Sequence, residues 1–146
     1  MKILLAYDNS EHSKRALEYA ANMGPDNEVT VLSVADPSTV YSYSYAEQMG
    51  AVSKAEEVRK LGEETKEAFN KAAENAAAEL KKKGINASGM MEIGNAGQTV
   101  CKVAREGNYD VIVMGSRGLS GVKEFFLGSV SNHVVQCSEK TVMIVK

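Results

Sequence analysis

The sequence predicts an α/β fold: a single domain, residues 1–146, on an open, parallel, five-stranded sheet with helices on both faces. Three observations carry this prediction. Short runs of apolar and β-branched residues recur along the chain between turn residues, as in strands buried on both faces. Between them lie stretches whose apolar residues return every three or four positions, the spacing of one helix face. The two patterns alternate, strand then helix four times with a closing strand, and such alternation implies a parallel sheet with right-handed crossovers. At 146 residues the chain buries a sizeable core without staples.

Lys2–Tyr7 is the first strand, with Ile3-Leu4-Leu5-Ala6 apolar throughout. Asp8-Asn9-Ser10 then offers turn and helix-capping residues, since a short polar side chain accepts a first-turn N–H. Ala16, Leu17, Ala20 and Ala21 mark the helix, and Gly24-Pro25 stops it. Val29–Val34 is the second strand. Residues 36–50 are the least regular. Tyr41, Tyr43 and Tyr45 alternate with serine there and read as a surface loop covering the long helix or a partner subunit, a lid over a ligand being the sharper alternative.

Ala51–Lys83 is rich in Glu, Lys and Ala with Val58, Leu61, Phe69, Ala76 and Leu80 at helical spacing. One helix of that length would run roughly 50 Å, so a break near Gly62 or a protruding first part is expected, with Gly84 as the end. Ile85–Ile93 alternates as a half-exposed edge strand does. Gly94-Asn95-Ala96-Gly97 is a turn, and Val100, Val103 and Ala104 mark a short helix. Val111-Ile112-Val113-Met114 is a buried strand that stops at Gly115, and glycines follow at Gly118 and Gly121. Helical spacing resumes at Gly128-Ser129 with Val130, Val134 and Val135, and Thr141–Val145 closes the chain as a strand.

Composition narrows the function. Net charge is −2, where nucleic-acid binding wants a basic surface; stacking tyrosines would be interleaved with Lys or Arg, and residues 35–53 contain neither. Ile3–Ala6 is too short to span a membrane, so the expected location is the cytoplasm. Cys101 and Cys137 show neither C-x-x-C nor metal-ligand spacing and read as small helix residues without chemistry. His12 and His133 are isolated, which gives no support to a metal site or a catalytic triad.

The strand, glycine-punctuated loop and helix start over 109–131 suit an anion. A helix N-terminus leaves about four N–H groups without intrahelical partners and carries roughly half a positive charge. Glycine removes the Cβ that would hold a phosphate away. Ser129 adds a hydroxyl able to cap the helix, or to ligate phosphate or Mg²⁺. On the glycines alone, a phosphate site and a tight turn with an ordinary cap stand level. Asp8, at the end of the first strand, by itself reads as a helix cap.

The spacing Gly115, Gly118, Gly128, Ser129 is G-x2-G-x9-G-(S/T). It resembles the ATP-binding signature of the universal stress protein family, and the resemblance extends over the whole chain. The ordinary P-loop pattern G-x4-G-K-(S/T) does not occur. The resemblance implies a Rossmann-like sheet of order 3-2-1-4-5, in which Asp8 and Gly115 close the two strands flanking the point where the chain reverses direction. Ligands bind at such points. It implies ATP as ligand, with ADP or AMP as alternatives, accompanied by Mg²⁺. Ala6 and Val34 would lie at adenine, Asp8 at the ribose, and Gly115 where the backbone must come close to the ligand. Phosphates would meet the backbone of Gly118, Gly128, Ser129 and Val130, with the Ser131 hydroxyl a further candidate. Arg117 and Lys123 stay outside this set as solvated loop cations. Family members often carry histidine where Ser33 stands.

Val142–Val145 would leave an apolar sheet edge open to association, and the resemblance implies a homodimer paired through strand 141–145. The function it implies is a nucleotide-dependent regulator in the stress response. The alternative is a slow Mg²⁺-dependent ATPase or phosphotransferase at the same site, for which positioned carboxylates besides Asp8 are wanting, Glu124 being only a loop candidate. A phosphoryl-receiver domain would need an aspartate after the third strand, where Met91-Glu92-Ile93-Gly94 stands.

Overall fold

The structure is a computed structural model that describes residues 1–40, 50, 52–118 and 126–146. Strands β1 (Lys2–Ala6), β2 (Glu28–Ala35), β3 (Asn86–Ile93), β4 (Val111–Gly115) and β5 (Thr141–Val145) are joined through helices. These are α1 (Glu11–Asn22), the single turn α2 (Pro37–Val40), α3 (Val52–Lys82), α4 (Ala96–Glu106) and α5 (Ser129–Cys137). The sheet order is β3-β2-β1-β4-β5, with parallel pairing throughout. In register, Ile3 lies beside Val29 on one side and Val111 on the other.

The alternating side chains of the central strands feed two cores. Ile3, Leu5, Val31 and Val113 pack with Ala16 and Leu17 of α1 and with Ala73, Ala76, Ala77 and Leu80 of α3. On the opposite face Leu4, Leu32, Ile112 and Met114 pack with Val100 and Ala104 of α4 and Val134 of α5. Each Val, Leu, Ile or Met among these contributes about 1.5–3 kcal/mol by leaving water. All of β4 is buried, as its unbroken apolar run requires. β3 lies at one edge and is largely exposed on its outer face.

Local chemistry sets the helix ends. Ser10 caps α1, its Oγ accepting the Ser13 N–H at 3.2 Å. Asn95 caps α4 by accepting the Gln98 N–H at 3.1 Å, so the turn expected over 94–97 is shorter and the helix already begins at Ala96.

Two expectations need correction. Helix α3 runs 31 residues without interruption, about 46 Å, and Gly62 is no break. A Cβ on Gly62 would stand 2.5 Å from the Val40 carbonyl oxygen, so this glycine admits the turn α2 against the helix. In the described first part of the helix Glu56, Glu57, Arg59 and Lys60 are exposed, and Leu61 is 59% exposed. Cys101 and Cys137 are also not independent residues. They form a disulfide between α4 and the last residue of α5, with Cα atoms 6.3 Å apart. Sequence spacing gives no sign of the pairing because the two cysteines, 36 residues apart, meet only when their helices pack side by side. Tyr41, Tyr43, Tyr45, Gly121, Lys123 and Glu124, with the lid reading that rests on the tyrosines, lie outside the described residues.

Candidate functional site

A cavity of about 250 Å³ lies outside the C-terminal ends of β1 and β4, at the reversal point of the strand order. Ala6, Asp8, Val34, Gly115, Gly118, Gly128, Ser129, Val130 and Ser131 all line it. Residues chosen from four separate stretches of sequence thus come to one place.

The loop between β4 and α5 is closed at its base by Ser116. Its carbonyl accepts the Gly128 N–H at 2.8 Å and the Ser131 hydroxyl at 2.9 Å, while its own N–H donates to the Val145 carbonyl at 2.9 Å. The Ser116 Oγ lies 3.3 Å from His12 Nδ1. These bonds set the first turn of α5 beside the end of β4. They also revise two expected roles. The Gly128 amide is committed to Ser116 and is not a phosphate donor here. The Ser131 proton points at the Ser116 and Gly128 carbonyls, 2.9 and 3.0 Å away, so this buried hydroxyl braces the loop instead.

The amides of Ser129, Val130 and Ser131 open the helix, where N–H groups have no intrahelical acceptor. Gly128, not Ser129, is the cap residue, and it supplies no side-chain bond. A helix end of this kind is open to an anionic acceptor.

Asp8, which also lines the cavity, is not the cap of α1, a role that falls to Ser10. One carboxylate oxygen of Asp8 accepts the Ser10 N–H at 3.0 Å. The other faces Gly118, where an added Cβ would stand 2.6 Å from it. Absence of a side chain at Gly118 is what lets the loop backbone lie against this acid. Gly115 has a different neighbour: an added Cβ there would come within 2.7 Å of the His12 carbonyl carbon, so its close approach is to α1. Buried Ser33 donates to the Tyr7 carbonyl at 3.0 Å and ties β2 to the end of β1. Burial raises the Tyr7 phenol above its ordinary pKa, and its hydroxyl donates to Asn9 Oδ1 at 3.1 Å.

Leu32, Val100 and Met114 form apolar walls of the cavity and Arg117 lines its loop side. The three apolar residues carry no sequence signal of a site, because each also belongs to the core under the sheet. Ser116 sits at an unspecified position of the glycine motif, so its bracing role is equally silent. Among the described residues no cluster of three or more His, Cys, Asp or Glu could hold a metal ion, and none of the helices is long and apolar enough to cross a membrane.

Known proteins resemble the chain over its full length. The universal stress protein family model matches residues 1–146. Universal stress protein YxiE of Bacillus subtilis is 34% identical, over 99% of this chain and 98% of its own. Universal stress protein MJ0577 of Methanocaldococcus jannaschii is 31% identical, over 99% and 94%, and its solved structure matches with a TM-score of 0.78. A universal stress protein family protein of Arabidopsis thaliana, solved with AMP bound, shares the fold at 20% identity and a TM-score of 0.64, over 100% of this chain and 91% of that one.

Proposed function

This chain belongs to the universal stress protein family, and we propose that it binds ATP in the cavity beside the α5 N-terminus and acts as a nucleotide-dependent regulator. The observation that carries the proposal is the uncapped first turn of α5 lining the same cavity as Asp8. Donors for phosphate and an acceptor for ribose hydroxyls then share one cavity with apolar walls. The AMP-bound Arabidopsis protein of the same fold supports an adenine nucleotide as the ligand class.

In this reading adenine lies against Ala6 and Val34, with Leu32, Val100 and Met114 completing the apolar walls. Asp8 accepts hydrogen bonds from the ribose. Phosphates take the amides of Ser129, Val130 and Ser131, and the backbone at Gly118 passes close by. ADP or AMP would use the same nucleoside contacts with fewer phosphate ones. Asp8 is the one carboxylate among the described residues lining the cavity, and Mg²⁺ is commonly held by one or two carboxylates together with nucleotide phosphates. Mg²⁺ would therefore arrive with the triphosphate. The same single carboxylate favours a binding protein over an efficient ATPase or phosphotransferase, which needs its attacking group positioned as well.

We also place the protein in the cytoplasm as a homodimer paired through β5. Val142, Met143, Ile144 and Val145 are only half-buried at the sheet edge, and an apolar edge is a template for a second copy.

Titration calorimetry tests the site. ATP should bind with micromolar affinity, about −8 kcal/mol. In Gly128→Val the heat should vanish while circular dichroism keeps its native form, since a Cβ there already stands 3.3 Å from Arg117 Cα. Unchanged affinity in that variant would remove the α5 N-terminus from the site.

A further inference from the structure

The disulfide joins two of the helices that line the candidate cavity. Ala96 and Val100 of α4 line it, and Cys101 is the next residue along that helix. Ser129, Val130 and Ser131 line it from the first turn of α5, whose last residue is Cys137. The sulfurs sit across the helix interface, Cys101 Sγ 3.8 Å from the Val134 carbonyl oxygen and Cys137 Sγ 3.8 Å from that of Gly97.

Beyond the Ser116 bonds at its first turn, helix α5 buries little of itself. Only Ser131 and Val134 among its nine residues are buried, and Val130 and Val135 are 37% and 46% exposed. Gly97 adds a close approach to the His133 ring, where a Cβ would stand 2.6 Å from Cδ2. The covalent bond holds the end of α5 opposite to the Ser116 bonds at its first turn, and α5 carries the amides assigned to phosphate. Cys137 is exposed and Cys101 half-buried, so Cys137 is the more open end of the bond. Accessible bonds of this kind are the exchangeable ones, and in reducing compartments cytosolic disulfides are usually transient.

We infer that the Cys101–Cys137 bond is a thiol-exchangeable latch that sets the nucleotide affinity of the cavity; this rests on the ATP-binding reading. In the reducing direction a thiolate attacks Cys137 Sγ, forming a mixed disulfide and releasing the Cys101 thiolate. A second thiol then displaces Cys137, so two small thiols become one small disulfide and the protein gains two thiols. The reverse consumes one small disulfide, such as oxidised glutathione, and returns two thiols. With the bond open, the first turn of α5 samples more positions, and ATP must order it on binding. Affinity falls accordingly. Linkage makes the effect reciprocal: bound ATP favours the closed bond by the same factor.

The test compares the oxidised protein, the protein reduced with dithiothreitol and a Cys101→Ala/Cys137→Ser variant. Each is checked for native circular dichroism, then titrated with ATP and followed by hydrogen exchange at residues 128–131. The expected result is a three- to tenfold weaker affinity in both open forms with faster exchange in the first turn of α5. Saturating ATP should also shift the glutathione midpoint toward the disulfide by that factor. Equal affinities within twofold, or loss of the native fold on reduction, would overturn the latch and leave a purely structural bond. If even the oxidised protein binds no ATP, the nucleotide reading itself fails. Exchange at 128–131 then decides the mechanical part: acceleration on reduction upholds the coupling of the bond to α5, and no change removes it.

Discussion

Gly115 and Gly118 stand three residues apart in one motif but are held to glycine by different neighbours. At Gly115 the crowding atoms are the backbone and Cβ of His12 in α1; at Gly118 they belong to the Asp8 carboxylate. The contrast gives a prediction. Gly115→Ala should destabilise the protein by about 1–3 kcal/mol through overpacking, read as a lower urea midpoint. Gly118→Ala should change stability by less than about 0.5 kcal/mol, because the Asp8 side chain it meets yields, yet weaken ATP about tenfold by displacing Asp8. A swap of the two outcomes would refute these assignments. The motif shows where glycine is needed but not which atoms need it, since His12 and Asp8 reach the loop only through the fold. The same blindness covers Gly128 and Ser131, whose amide and hydroxyl are engaged by Ser116, a residue the motif leaves unspecified.

At the scale of elements, local chemistry was readable wherever it is local. The cap of α1 lies in the Asp8-Asn9-Ser10 turn, and Ser10 fills it with the Ser13 N–H. Ser10→Ala should cost about 1 kcal/mol of stability, measurable by urea denaturation, and should leave ATP affinity nearly unchanged, because Ser10 does not line the cavity. A drop in affinity without a drop in stability would instead make the Asp8–Ser10 turn part of the ligand site. Long-range use of a residue was not readable. The length of the 51–83 stretch argues for a break near Gly62, whereas the packing of α2 against it supplies a reason for glycine inside an unbroken helix. The cysteine pair escaped for the same reason, as two helix faces must pack before the sulfurs are neighbours.

For the whole molecule, the alternation of buried runs and helical stretches carried the parallel sheet, and the half-exposed pattern at Ile85–Ile93 marked an edge that β3 occupies. Strand order itself came from the resemblance, because alternation alone permits several orders. The opposite edge, β5, motivates the association prediction: sedimentation at micromolar concentration should give twice the 15.7 kDa of the chain, and a value near 15.7 kDa would rule out the β5 dimer. The bond between Cys101 and Cys137 has one more result at this scale. It closes a covalent ring containing β4, the glycine loop and α5. A protease that nicks the backbone between Gly118 and Phe126 would leave both fragments tethered, and they would separate on a gel only after a reductant cut the tether.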